Sequence, residues 1–164
     1  MTPELEAKLQ YYNNKYYPGW RVPDAQVDEW LRMGVQDFGC HIFPEAVRVL
    51  REFGDLMWGT MHLTPEGSDK RGEPELWLQW EWQVKEVLFP VGYNLGTGFT
   101  SAVSSTGKVY GRGYEADWFF GDSFEDYLLN PRNAWVEIIT GPHWTDAMME
   151  EVERMYKSVY ERHK

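Results

Sequence analysis

The sequence predicts an α+β fold, in which helices pack on a mostly antiparallel sheet. Helical periodicity dominates residues 3–54, strand-like segments punctuated by glycine and proline fill residues 88–129, and an amphipathic helical pattern returns after residue 143. Helices that precede and follow a block of strands, rather than alternating with them, define α+β instead of α/β. A chain of 164 residues buries a core without staples. It is expected to form a single domain over 1–164.

Leu5 and Leu9 are four residues apart and Tyr12 continues their stripe, so residues 3–12 form the first helix. Tyr16-Tyr17-Pro18-Gly19-Trp20 breaks it. Asp24 is a good cap for a second helix, where Val27, Trp30 and Leu31 share one face and Gly34 is the stop. Pro44 suits the first position of a third helix, with Glu45 at the positive end of its dipole. Val47, Leu50 and Phe53 form its inner stripe, and Gly54 its left-handed terminator. Residues 56–63 follow as a strand ended by Pro65, and residues 67–72 as an exposed polar loop.

Residues 74–87 fit two patterns. Leu76, Leu78, Trp80, Trp82 and Val84 alternate as in a strand, whereas Trp77, Trp80, Val84, Val87 and Leu88 suit a helix. The start Glu73-Pro74-Glu75 and a length above ten residues favour the helix. From Leu88 the pattern is β-like. Phe99 and Val103 precede, and Val109 and Tyr110 follow, a Ser-Ser-Thr-Gly turn at 104–107, which makes a hairpin. Residues 114–120 give a further strand, 123–129 a short helix ended by Pro131, and 135–139 one more strand. Trp144, Met148, Val152, Met155 and Val159 then recur at helical spacing, with Glu150, Glu153, Lys157 and Glu161 mostly off that stripe. They predict a C-terminal amphipathic helix over 144–162.

Composition narrows the function. Nine Trp, ten Tyr and eight Phe are too many for one interior, so several are expected on the surface, where aromatics favour partner binding. The 26 acidic and 16 basic residues give a net charge of −10, which repels nucleic acid and anionic membranes and attracts basic partners. Cys40 is the lone cysteine, in the apolar run Phe38-Gly39-Cys40-His41-Ile42-Phe43, and fits a buried thiol in a reducing compartment. No window approaches the roughly 18 apolar residues of a membrane span, and residues 1–10 carry no apolar signal-peptide core. A cytoplasmic protein is expected.

Catalytic motifs fare poorly. Phe120-Gly121-Asp122-Ser123 resembles the nucleophile block of GDSL-type serine hydrolases, but neither His143 nor His163 has an Asp three residues before it. Asp122 or Ser123 capping the next helix is the better reading. Gly111-Arg112-Gly113-Tyr114-Glu115-Ala116 matches a dinucleotide fingerprint on paper, yet strand rather than helix follows, so its glycines suit a turn or bulge. His41, His62, His143 and His163 show no ligand spacing, and no metal, cofactor or catalytic residue is expected. One constellation survives as a partner-binding site. Glu115, Asp117, Asp122, Glu125 and Asp126, with Trp118 among them, fall within residues 115–126, which hold no Lys or Arg. Strand alternation puts Glu115 and Asp117 on one face. Crowded carboxylates beside aromatics suit docking on a basic protein surface, the charges raising on-rate and the rings anchoring.

Several blocks follow one another along the chain in a definite order and spacing. They are Pro18-Gly19-Trp20-Arg21-Val22, Phe43-Pro44-Glu45-Ala46 leading into Leu50-Arg51-Glu52-Phe53-Gly54, and the helical 74–87 region. Leu88-Phe89-Pro90-Val91-Gly92, Gly107-Lys108-Val109-Tyr110 and Gly121-Asp122-Ser123-Phe124 follow. Over residues 16–130 this set resembles the third subgroup of the SUKH superfamily of immunity proteins. The resemblance implies an α+β domain that binds a cognate toxin of a bacterial polymorphic toxin system, often a nuclease, and blocks it. Yeast cell-wall-synthesis regulators share the superfamily, so a regulatory scaffold is the alternative, with the serine hydrolase third. The motif residues read as structural: Gly92, Gly107 and Gly121 for tight turns, Pro90 and Trp20 for packing. The chain departs from the family in continuing past the short helix at 123–129, with a tail that completes the core or forms a dimer or toxin contact. No direct nucleic-acid or membrane contact is expected.

Overall fold

A computed structural model describes residues 1–65, 74–113, 117–130 and 134–135. The elements in order are α1 (Pro3–Tyr12), α2 (Asp24–Phe38), α3 (Pro44–Phe53), β1 (Met57–Trp58), β2 (Met61–His62), α4 (Pro74–Val84), β3 (Leu88–Asn94), β4 (Thr100–Ser104), β5 (Val109–Arg112), β6 (Asp117–Gly121), α5 (Phe124–Leu129) and β7 (Ala134–Trp135). The seven strands among the described residues form one antiparallel sheet in chain order, β1 to β7. With helices segregated from this meander, the fold is α+β. The expected loop at 67–72, strand residues 136–139 and C-terminal helix 144–162 lie outside the described residues.

The helices start largely where local chemistry directs. The Thr2 hydroxyl accepts the Leu5 N–H at 3.3 Å and Pro3 opens α1. Asp24, expected as the cap of α2, instead lies in its first turn, because Pro23 occupies the cap position. Gly34 does not stop α2. The helix runs on to Phe38 and ends at Gly39, whose φ of 69° is the left-handed conformation that a missing Cβ permits. Gly34 serves packing, since a Cβ there would collide with the Phe89 ring of β3. In α3 the buried stripe is Ala46, Val49, Leu50 and Phe53, with Val47 half-buried beside it. Gly54 is not left-handed, with φ −56°, and the positive φ falls on Asp55 at 62°. A side chain at Gly54 would strike the Leu50 carbonyl and the Trp30 ring.

The strand expected over 56–63 is a tight hairpin, β1 and β2 joined through Gly59 and Thr60. Asn13, the buried C-cap of α1, is tied to it. Its side-chain Nδ2 donates to the Met57 carbonyl at 2.9 Å and to the Leu9 carbonyl at 3.0 Å, and its Oδ1 accepts the Met57 N–H at 2.6 Å. The hairpin at 104–107 forms as expected, with Gly107 in the turn. Gly92 and Gly121 are not turn glycines. Gly92 is in β3 beside Met61 where the register shifts, and Gly121 closes β6 against the backbone of Tyr127.

Strand alternation assigns the two faces of the sheet. On one face Phe89 meets α2 at Gly34, and Ser101 meets Tyr127 of α5. On the other, Tyr110 donates to Glu86 at 2.6 Å and Arg112 lies over Trp80 of α4. Phe53 of α3 packs on Phe124 of α5 with ring centres 5.0 Å apart, and Trp77 of α4 on Phe38 of α2 at 5.2 Å. Trp30, Trp80, Phe53, Phe89 and Phe124 are fully buried, which uses only part of the aromatic content.

Candidate functional site

The acidic segment is divided between β6, the turn after it and α5. Asp117 opens β6 opposite Arg112 in the register, and Trp118 pairs with Gly111 on one side and Trp135 on the other. Trp118 is half-buried, its ring nearly perpendicular to that of Phe99 with centroids 6.5 Å apart. Glu115 lies outside the described residues, so its alignment with Asp117 on one strand face does too. Phe120 covers Gly111, where a side chain would clash, and stacks on Tyr127 at 5.1 Å.

Ser123 is the cap of α5. Its Oγ accepts the Asp126 N–H at 3.0 Å, while Asp126 Oδ2 accepts the Asp122 N–H at 3.3 Å. This is a reciprocal arrangement close to a capping box, and it places Glu125 and Asp126 at the positive end of the short helix. Asp122 is exposed and Asp126 half-buried. The serine that resembles a hydrolase nucleophile thus has a local structural partner on its oxygen.

Glu125 differs from a free surface carboxylate. Arg48 of α3 grips it with both arms, Nη1–Oε1 at 2.6 Å and Nη2–Oε2 at 3.2 Å. The same guanidinium bonds Glu45 through Nη2 at 2.6 Å and Nε at 3.0 Å, and Glu52 through Nη1 at 2.9 Å. Hydrogen bonds to Glu45 raise the Arg48 pKa further; burial opposes this, and Glu125 adds to the rise. One cation among three carboxylates leaves two negative charges in excess. Arg48 is the residue of this candidate site that sequence reasoning missed. The acidic stretch has no Lys or Arg within it, and the cation that holds Glu125 is 77 positions away.

Beneath the acidic turn, burial pushes the Tyr127 hydroxyl up to about 12, against a lowering bond with Ser101. That hydroxyl donates to Met61 Sδ at 2.9 Å and lies 3.2 Å from Ser101 Oγ. Cys40 is fully buried, and burial first, then the charge of Glu81, raises its thiol well above the usual range. Among the described residues no three His, Cys, Asp or Glu side chains are grouped to hold a metal ion. Among them also no helix is long and apolar enough to cross a membrane.

The fold and this turn define a class: an α+β domain carrying an acidic, aromatic surface turn whose polar groups serve capping and ion pairing. The model of the SUKH-3 immunity protein family matches residues 12–130, and the chain belongs to that family. Membership indicates a toxin-neutralising immunity role. No curated protein and no solved structure matches the chain.

Proposed function

We propose that this protein, acting as one domain in the cytoplasm, binds a cognate polymorphic toxin and occludes its working surface, and that the toxin is a nuclease. The observation that carries the reading is a net charge of −10 on a member of an immunity family. A nuclease must present Lys and Arg to phosphates, so a strongly acidic protein competes for that surface. The docking residues of this reading are Glu115, Asp117, Trp118, Asp122, Glu125 and Asp126, with Arg48 restraining Glu125. The protein contributes occlusion rather than a reaction, and needs no cofactor.

A toxin domain found encoded beside this gene is expected to co-purify with the chain when the two are co-expressed. Affinity should fall as salt rises, because the steering charges are screened. Asp117→Lys with Asp122→Lys should slow association by about tenfold or more and weaken protection of cells. A complex whose affinity is indifferent to ionic strength would count against the acidic turn as the docking surface.

A further inference from the structure

A second surface stands out on the opposite end of the sequence from the acidic turn. Tyr11 and Tyr17 are 82% and 55% exposed, and Tyr12 is 41% exposed. These rings are not scattered. Tyr11 meets Tyr12 edge-on with centroids 5.2 Å apart, and Tyr12 meets Trp58 of β1 at 5.2 Å. Tyr17 meets Trp20 at 5.7 Å. The two groups are joined through the polar residues between them. Asn13 fixes the end of α1 to Met57, next to Trp58. Lys15 lies 5.5 Å over Trp20 and bonds Asp55 at 2.6 Å, and His62 bonds the other oxygen of Asp55 at 3.1 Å.

Three properties describe an anchoring surface. The rings are large and apolar with hydroxyl tips, the composition that dominates binding hot spots. They brace one another, so little rotamer freedom remains to be lost on binding. The charges beside them are mutually neutralised, as Lys15 and Asp55 show, so the rings can be covered without stranding an ion.

The chemistry of the occupant follows from charge. A second copy would bring another −10, which opposes self-association. A basic protein surface has both the opposite charge and side chains that stack on aromatic faces, and Trp20 already receives a Lys in this way. Helix α1 also adjoins α5, the helix that follows the acidic turn. We propose that Tyr11, Tyr12 and Trp58, flanked by Tyr17 and Trp20, form the anchoring half of the partner interface, the exposed rings of Tyr11, Tyr12 and Tyr17 taking Lys or Arg side chains of the partner. This rests on the immunity reading above and adds to it: the acidic turn steers, and the aromatic surface holds.

The test uses the full chain and the toxin domain encoded beside the gene. Tyr11→Ser with Tyr12→Ser should weaken binding by roughly 30-fold or more, mainly through faster dissociation, and Tyr11→Ser alone should weaken it with the unfolding midpoint little changed. Tyr11→Arg, at the most exposed position, should fold normally and bind more weakly than Tyr11→Ser, because it adds like charge against a basic partner. If the wild-type complex forms and the tyrosine variants bind as tightly, the anchoring surface is wrong and the immunity reading stands. If Tyr11→Arg binds no more weakly than Tyr11→Ser, the partner face is not basic and the proposal fails. If the free wild-type chain is a dimer that Tyr11→Ser dissociates, the surface belongs to a second copy. If no complex forms at all, both readings fall.

Discussion

Arg48 holds Glu45, Glu52 and Glu125 at once, so its removal does more than delete one ion pair. Three carboxylates would be left facing one another across α3 and α5. Isolated exposed pairs contribute little, but a bidentate network of this kind is the exception. Arg48→Ala is expected to lower stability by about 1–2 kcal/mol in low salt and by less in high salt. Urea unfolding at two ionic strengths checks it, and a double-mutant cycle with Glu125→Ala isolates the α3–α5 coupling. The contrast between Ser123 and Glu125 explains what single residues reveal. Ser123 acts on Asp126, three residues on, and such a cap is legible in sequence. Glu125 is partnered from another helix, and no local pattern carries that information. Cys40 was legible as a buried thiol because its apolar neighbours are adjacent in the chain.

At the level of elements, Gly34 and Gly54 follow one rule: the fold uses glycine there as clearance for a neighbouring ring rather than as a left-handed terminator. Gly34 lies inside α2 because the ring of Phe89, from the middle of the sheet, occupies the space of its side chain. Gly34→Ala should therefore overpack the α2–β3 contact and cost about 1–3 kcal/mol, despite the higher helix propensity of alanine. Measured stability rising with that substitution would mean that Phe89 yields easily. The α4 region shows the opposite case. Its alternating and helical patterns compete, yet composition and length pointed to a helix, and it forms over Pro74–Val84. Its end comes earlier than expected, with Lys85 at φ 60° and Leu88 N–H held by the buried Glu81 carboxylate at 3.0 Å. Starts and types of elements followed from local chemistry, whereas their ends depended on distant neighbours.

For the whole molecule, Tyr127 links α5 to β2 and β4, and its hydroxyl is stable there only when protonated. Its pKa of about 12 exceeds the ordinary value of about 10, so the neutral form is favoured by folding. The associated stability is complete below about pH 10 and is lost as pH rises toward 12, an effect on the order of 2–3 kcal/mol. Urea midpoints at pH 9 and 11.5 should show a fall to which the buried Cys40 thiol and the Tyr110 hydroxyl also contribute, and Tyr127→Phe should make it smaller. The α+β class and the family were legible in ordered turn and motif blocks, which are short-range features. The acidic turn was legible as a local cluster of carboxylates, whereas the aromatic surface was legible only as an excess of aromatic residues whose places the fold supplies. The clasp of Asn13 on Met57 has a further consequence. A terminal strand with open amide and carbonyl groups invites another chain to extend the sheet, whether a target peptide or an aggregating copy. Asn13 occupies both main-chain groups of Met57, so recruitment at that position would first have to displace the clasp. A partner arriving at the β1 margin is thereby directed to read side chains, and the margin is defended against fibril growth.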